Sequence, residues 1–166
     1  MTRAAVIGWL IFYTLFFVYA AFDRSGFLFL DYVNLIIHEG GHFFFSWFGE
    51  TATILGGTLG ELVVPLLCAL YFFGQREITA VTFCGVWFFE NFLYLGTYMA
   101  DARALSLALV GSGDHDWQVL FGRWGLLEQD QRIGGTVRAL GWLGMLAAVA
   151  WLVWRAKREL ARERIE

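Results

Sequence analysis

Positions 38–42 read His38-Glu39-Gly40-Gly41-His42. On a helix, residues four apart share a face, so the two imidazoles point the same way and can bind one metal ion from a single element. Glu39 projects nearby without having to ligate, and can take a proton from a water that the metal activates. The flanking residues, 33–37 and 43–45, are apolar apart from Asn34. An ionisable group within a membrane-spanning helix costs roughly 2.5 to 3.5 kcal/mol on insertion scales, so three polar groups together demand a compensating use, and a bound metal supplies one. Gly40 and Gly41 each cost about 1 kcal/mol against alanine in a helix interior, yet they open room for a neighbouring helix, a water or a substrate backbone.

The elements that must position this motif follow from composition. The 166-residue chain is 58% hydrophobic, 19% aromatic and only 16% charged, which places it among integral membrane proteins. The formal charge of −3 and the lack of a basic stripe interleaved with aromatics argue against a nucleic-acid partner. Cys68 and Cys84 lie in apolar runs with no CxxC spacing, as small apolar filler rather than a zinc ribbon or disulfide framework. An all-α, polytopic fold is expected, one transmembrane domain over 1–166 with five spans at about 4–22, 27–48, 59–74, 78–100 and 133–154, HExxH lying on the second. The apolar run 4–22 is longer than the core of a signal peptide and reads as a retained span. The stretches 49–58 and 101–132 read as loops, and Pro65 makes the third span the candidate for a kinked, tilted or partly re-entrant segment. Gly56-x-x-x-Gly60 and the series Gly134, Gly141, Gly144, Ala148 mark faces where helix backbones approach closely. The basic tail 155–166 predicts a cytoplasmic C-terminus, and five spans then put the N-terminus and both long loops on the opposite side.

This topology gathers further polar groups at the His42 end of the motif. The third histidine of the chain, His115, stands in Gly111-Ser112-Gly113-Asp114-His115-Asp116-Trp117, on a loop that faces that end and is free to fold inward. Its imidazole would complete a three-histidine set of the kind that open catalytic zinc sites use. Glu61 begins the third span on the same side, and Glu90 and Asn91 lie at a depth similar to the motif. Asn91 can hold a substrate backbone; Asp116 or Asp101 can orient a ligating ring. Each also has a plain structural use, as a helix cap or an interhelical hydrogen bond.

An HExxH within an apolar helix, followed by Gly56-Gly57 leading into another, resembles the site-2-protease-like, or peptidase M50B-like, intramembrane zinc metallopeptidases. The likeness is strongest over 33–66 and extends to Tyr98-Met99-Ala100-Asp101-Ala102-Arg103 and His115-Asp116-Trp117. The resemblance implies zinc, with His38 and His42 as ligands, Glu39 as catalytic base, and a transmembrane peptide or protein as substrate. It also implies an aspartate as third ligand, which Asp101 offers, although the Asp-Gly pair that supplies it in typical members is absent from every expected span. The third ligand is therefore expected to be His115 or Asp101, with Glu90, Asp116 and Glu61 behind them. The rival expectation from another class is a non-proteolytic, metal-binding accessory subunit whose glycine-lined faces pack in a larger membrane complex. In either case the surrounding lipid is the first partner.

Overall fold

The structure, a computed structural model, describes residues 2–23, 25–109 and 114–162. The stretch 111–113 that introduces His115 and the last four residues of the basic tail lie outside them. The described residues form six α-helices and no strand: α1 (Arg3–Phe22), α2 (Asp31–Phe45), α3 (Glu50–Gly74), α4 (Ile78–Ala100), α5 (Asp116–Trp124) and α6 (Asp130–Arg162). Four segments are long and apolar enough to cross a membrane: Arg3–Phe22, Glu50–Gly74, Ile78–Ala100 and Leu127–Glu159.

The expected second span is not among these four. The apolar run over 27–48 yields only the 15 residues of α2, about 22 Å at 1.5 Å per residue against a hydrocarbon core of about 30 Å. What shortens it is tertiary. The Asp31 carboxylate accepts the Leu28 N–H at 2.6 Å and starts the helix there, while the preceding residues fold back, Phe27 against Tyr94 and Phe29 against Phe16 and Tyr19. At the other end the Ser46 hydroxyl donates to the Phe43 carbonyl, a 3-10 turn follows, and Gly49 at φ 96° redirects the chain.

The stretch 49–58, expected as a loop, is instead the start of α3. Gly56 and Gly57 are glycines for packing rather than for turning. A Cβ on Gly56 would lie 2.6 Å from the Gly41 carbonyl oxygen, and one on Gly41 would run into the carbonyl of Gly56. Gly60 meets Ile37 in the same way, so α2 and α3 run antiparallel with backbones in contact, as small residues allow. Pro65 remains inside α3, buried, without ending it. A second glycine seam joins α6 to α4: Gly134 faces the Gly96 carbonyl, and Gly141 and Gly144 face Phe89.

These contacts give the bundle two distinct ends. Helix α1 runs alongside α4, Trp9 beside Phe83 and Phe17 beside Trp142 of α6. The chain then turns at Gly26 against Thr97 and drops back, so that α2 begins where Asn34 meets Trp87 and Glu90, midway along α4. From there α2 returns to the level of Thr53. One end of the bundle therefore carries the start of α3, the end of α4, α5 and the start of α6. The other carries both the start of α1 and the end of α6.

The Gly41/Gly56 crossing predicts an ordered response to added methyl groups. Gly41→Ala and Gly56→Ala should each destabilise the protein by about 1–3 kcal/mol in thermal unfolding in detergent. Gly40→Ala, whose Cβ meets nothing within 4 Å, should be neutral or stabilising by up to about 1 kcal/mol.

Candidate metal centre

His38 and His42 occupy successive turns of α2 on the face turned toward α3 and α5, with ring centroids 4.6 Å apart. His38 fits because position 57 is glycine: a Cβ there would collide with the Nε2, Cε1 and Cδ2 atoms of the imidazole. Each ring is anchored through Nδ1. His42 Nδ1 donates to the Thr53 carbonyl at 2.7 Å, and His38 Nδ1 stands 3.3 Å from Glu61 Oε1. A carbonyl only accepts, which puts a proton of His42 on Nδ1 and makes Nε2 the nitrogen that would ligate a metal. Carbonyl and carboxylate partners of this kind orient histidines for metal binding.

Both Nε2 atoms converge on one carboxylate oxygen. Asp116 Oδ2 lies 3.0 Å from His38 Nε2 and 3.4 Å from His42 Nε2. His38, His42 and Asp116 are a group that can hold a metal, one donor atom from each lying within 4.8 Å of the others. The separations match the edge of a small tetrahedron: ligands at about 2.0 to 2.2 Å from a zinc ion are roughly 3.3 Å apart. Two nitrogens and one oxygen leave the fourth corner for water or substrate. Burial alone raises the Asp116 carboxyl, but hydrogen bonds from His38 and His42 outweigh it and hold the group at about 2, so it is an anion at neutral pH.

The group that can hold a metal includes neither His115 nor Asp101. Helix α5 begins one residue after His115. His115 is its N-cap, and its Nδ1 accepts the Gln118 N–H at 3.2 Å. Its ring lies on Tyr98 at 4.1 Å, with Nε2 3.7 Å from Asp101. Asp116, the first residue of the helix, points instead into the space between the imidazoles. Asp101 ends α4 and ties down the segment after it, accepting from the Ser106 N–H and hydroxyl and from the Leu107 N–H. Burial alone raises the Asp101 carboxyl, but these three bonds bring it below the ordinary carboxylate range.

The remaining candidates fall into two groups. Glu61 holds the His38 ring, and the exposed Glu39 borders the same cleft as the metal group. Asn91 donates to the Glu61 and Trp87 carbonyls, which joins α3 to α4 and occupies its amide. Glu90 pairs with Asn34, away from the imidazoles. Thr53 was not singled out from sequence, and Gly57 and Tyr98 enter there only in the stretches that carry the resemblance, with no role assigned; the Tyr98 hydroxyl accepts the Asp116 N–H at 3.1 Å. Asn91, Tyr94 and Tyr98 recur at helical spacing on α4, a polar stripe that could have flagged Tyr98.

The cleft has a volume of about 850 Å³ and is largely apolar, with Tyr32 and Leu35 of α2, Tyr94 of α4, Val119 of α5 and Leu107 from the segment between α4 and α5 around the polar group. Across its outer rim Arg123 of α5 pairs with Glu50 of α3. A concave apolar site with a few convergent polar groups is the usual form of a substrate pocket.

Two outcomes follow for the purified protein. His38→Ala, His42→Ala and Asp116→Ala should each lose stoichiometric metal by elemental analysis, Glu61→Ala should weaken metal affinity about 10- to 100-fold, and His115→Ala should keep it. The Asp101 contacts should contribute stability above the ordinary carboxylate value, and this contribution should be lost as pH falls through the lower folded value. Asp101→Asn should remove that acid-side dependence and cost about 1.5–3 kcal/mol near neutrality, measured by chemical denaturation.

Compared with protein-family models, with curated proteins and with solved structures, the chain matches none.

Proposed function

We propose that the protein is a membrane-embedded zinc metallopeptidase of the site-2-protease-like kind, hydrolysing a peptide bond in or near the bilayer. The observation that carries this reading is the convergence of His38, His42 and Asp116, beside Glu39, in a largely apolar cleft. Zinc held there supplies a Lewis acid that polarises a carbonyl and makes water nucleophilic near neutral pH. Glu39, which is exposed and free of the ligand set, takes the proton of the attacking water and returns it to the leaving amine. Thr53 and Glu61 hold the two rings through Nδ1, and the Tyr98 hydroxyl holds the start of α5, so the ligands keep their orientation while substrate exchanges. Tyr32, Leu35 and Leu107 give an apolar wall suited to a membrane-derived peptide.

The membrane arrangement we infer has four crossings, α1, α3, α4 and α6, with α2 entering from one side to mid-depth and returning. Its support is the length of α2, the meeting of Asn34 with Trp87 at the middle of α4, and the exposed Tyr32, Ile36, Phe43 and Phe44 on its outer face. Backbone that turns within a bilayer is tolerated where protein covers its polar groups, as Asp31 does for Leu28. In this arrangement both termini share one side, in place of the opposite sides that five crossings require. Arg3, Arg76, Arg155, Lys157 and Arg158 gather at the end with the termini, against Arg103, Arg123, Arg132 and Arg138 at the other, which supports cytoplasmic termini and a metal centre in the opposite half of the membrane.

Glu39→Gln should retain metal and lose hydrolysis of a membrane-inserted peptide by at least about 100-fold, since the amide cannot accept the proton; full retention of metal with no hydrolysis by the unaltered protein on any peptide would instead favour the accessory-subunit reading. Reporters fused before Met1 and after Glu166 should both read cytoplasmic, and a cysteine at Glu128, near the start of α6, should be labelled only from the other side of sealed vesicles. An N-terminal reporter on the opposite side would restore five crossings.

A further inference from the structure

At the start of α2, on the far side of His38 from the metal group, Asp31, Asn34 and Glu90 are buried between α2 and α4. Trp87 Nε1 donates to Asn34 Oδ1 at 2.7 Å. An indole N–H can only donate, so this bond fixes which way the amide faces. The Asn34 Nδ2 group is thereby turned toward the acids, and it donates to Asp31 Oδ1 at 3.0 Å and to Glu90 Oε2 at 3.2 Å. It fills the position between the carboxylates that a bridging metal cation would occupy.

The two acids are not equivalent. Both oxygens of Asp31 accept hydrogen bonds, from Asn34 and from the Leu28 N–H, and the residue stands in the first turn of α2, where the helix dipole favours an anion. Glu90 is fully buried, and its Oε1 has no hydrogen-bond partner. The ionisable groups that act on it are Asp31 on α2 and Glu61 on α3, both acidic. No Lys, Arg or His pairs with Asp31 or Glu90 among the described residues. Like charges sharing a buried site cannot both be ionised without a counter-ion.

We propose that Glu90 is a proton-binding site within the bundle: at neutral pH the Asp31–Asn34–Glu90 cluster holds one proton, on Glu90 Oε1, and Asp31 carries the charge. The proton is what allows α2 to seat on α4. Releasing it to water leaves an anion on each side of Asn34 with no cation to offset either, and drives the first turn of α2 off the middle of α4. Asn34 and His38 are four residues apart on one face of α2, so the seat of the metal-binding helix depends on this proton whichever reaction the centre performs.

The test uses the full chain in detergent or lipid, with ¹³C in the side-chain carboxyls of glutamate and, in a second sample, of aspartate. At neutral pH the wild-type protein should give a glutamate signal in the protonated-carboxyl position that disappears in Glu90→Gln and persists in Glu61→Gln. Glu90→Gln, which keeps the shape and removes the charge, should also be at least as stable as wild type at neutral pH and lack the loss of thermal stability that wild type shows at alkaline pH. Absence of any protonated glutamate at neutral pH overturns the proposal. So does a protonated signal that belongs to aspartate, that survives Glu90→Gln, or that vanishes in Glu61→Gln. Should Glu90→Gln fail to fold, the wild-type and Glu61→Gln spectra decide alone.

Discussion

A side chain at position 41 or 56 would hold α2 away from α3, and most of the candidate metal centre exists because those helices touch backbone to backbone. Contact at Gly41 and Gly56 brings the Thr53 carbonyl within reach of His42 and lays His38 over Gly57, beside Glu61. At an ordinary interaxial distance of 8–10 Å neither ring would be anchored through Nδ1. The four glycines 41, 56, 57 and 60 thus do locally what a hydrophobic core does elsewhere, trading helix propensity for proximity.

The polar groups gathered by this contact sit in a low dielectric, where a charge is stable only with a partner. Asp116 has two imidazoles, Asp101 has three donors from the segment that follows it, and Asp31 has an amide and a backbone N–H. Arg103 at the end of α4 pairs with Asp130 at the start of α6 and with Glu128 in the turn before it. The polar residues of the bundle are therefore divided between one layer that meets the cleft and one that fixes the elements bearing it. Tyr98 belongs to both, stacking on His115 and holding the backbone of Asp116.

Periodicity and composition carry the helical, membrane-crossing character of the chain, because a bilayer leaves few other solutions for long apolar runs. The shared face of His38 and His42 is equally local, being a property of helical spacing alone. The length of α2 is not local: nothing in the apolar run 27–48 announces that Phe27 and Phe29 fold back on Tyr94 and Phe16, or that Asp31 takes up the Leu28 N–H. Residues 49–58 read as a loop even though Gly56-x-x-x-Gly60 reads as a packing face, since glycines look alike in a loop and at a helix crossing until their partner is known. The choice between His115 and Asp116 turned on a single residue. Which of the two caps α5 and which begins it decides where each side chain points, and adjacent residues of a helix diverge by about 100°.

Asp116 reaches His38 across 78 residues of sequence. Helix α2 alone can offer a metal two ligands; the third arrives only when α3, α4 and α5 have been laid beside it. Tight coordination would thus be a property of the finished fold, and newly made chain would have little hold on an ion. The same arrangement runs in reverse as a lock. An ion bound by the native state alone stabilises it by RT ln(1 + [L]/Kd), about 2.7 kcal/mol at a hundredfold excess over Kd. That increment would fall on the closure between the two halves of the chain, adding to the Tyr98 and Glu50 contacts that hold a short helix of nine residues.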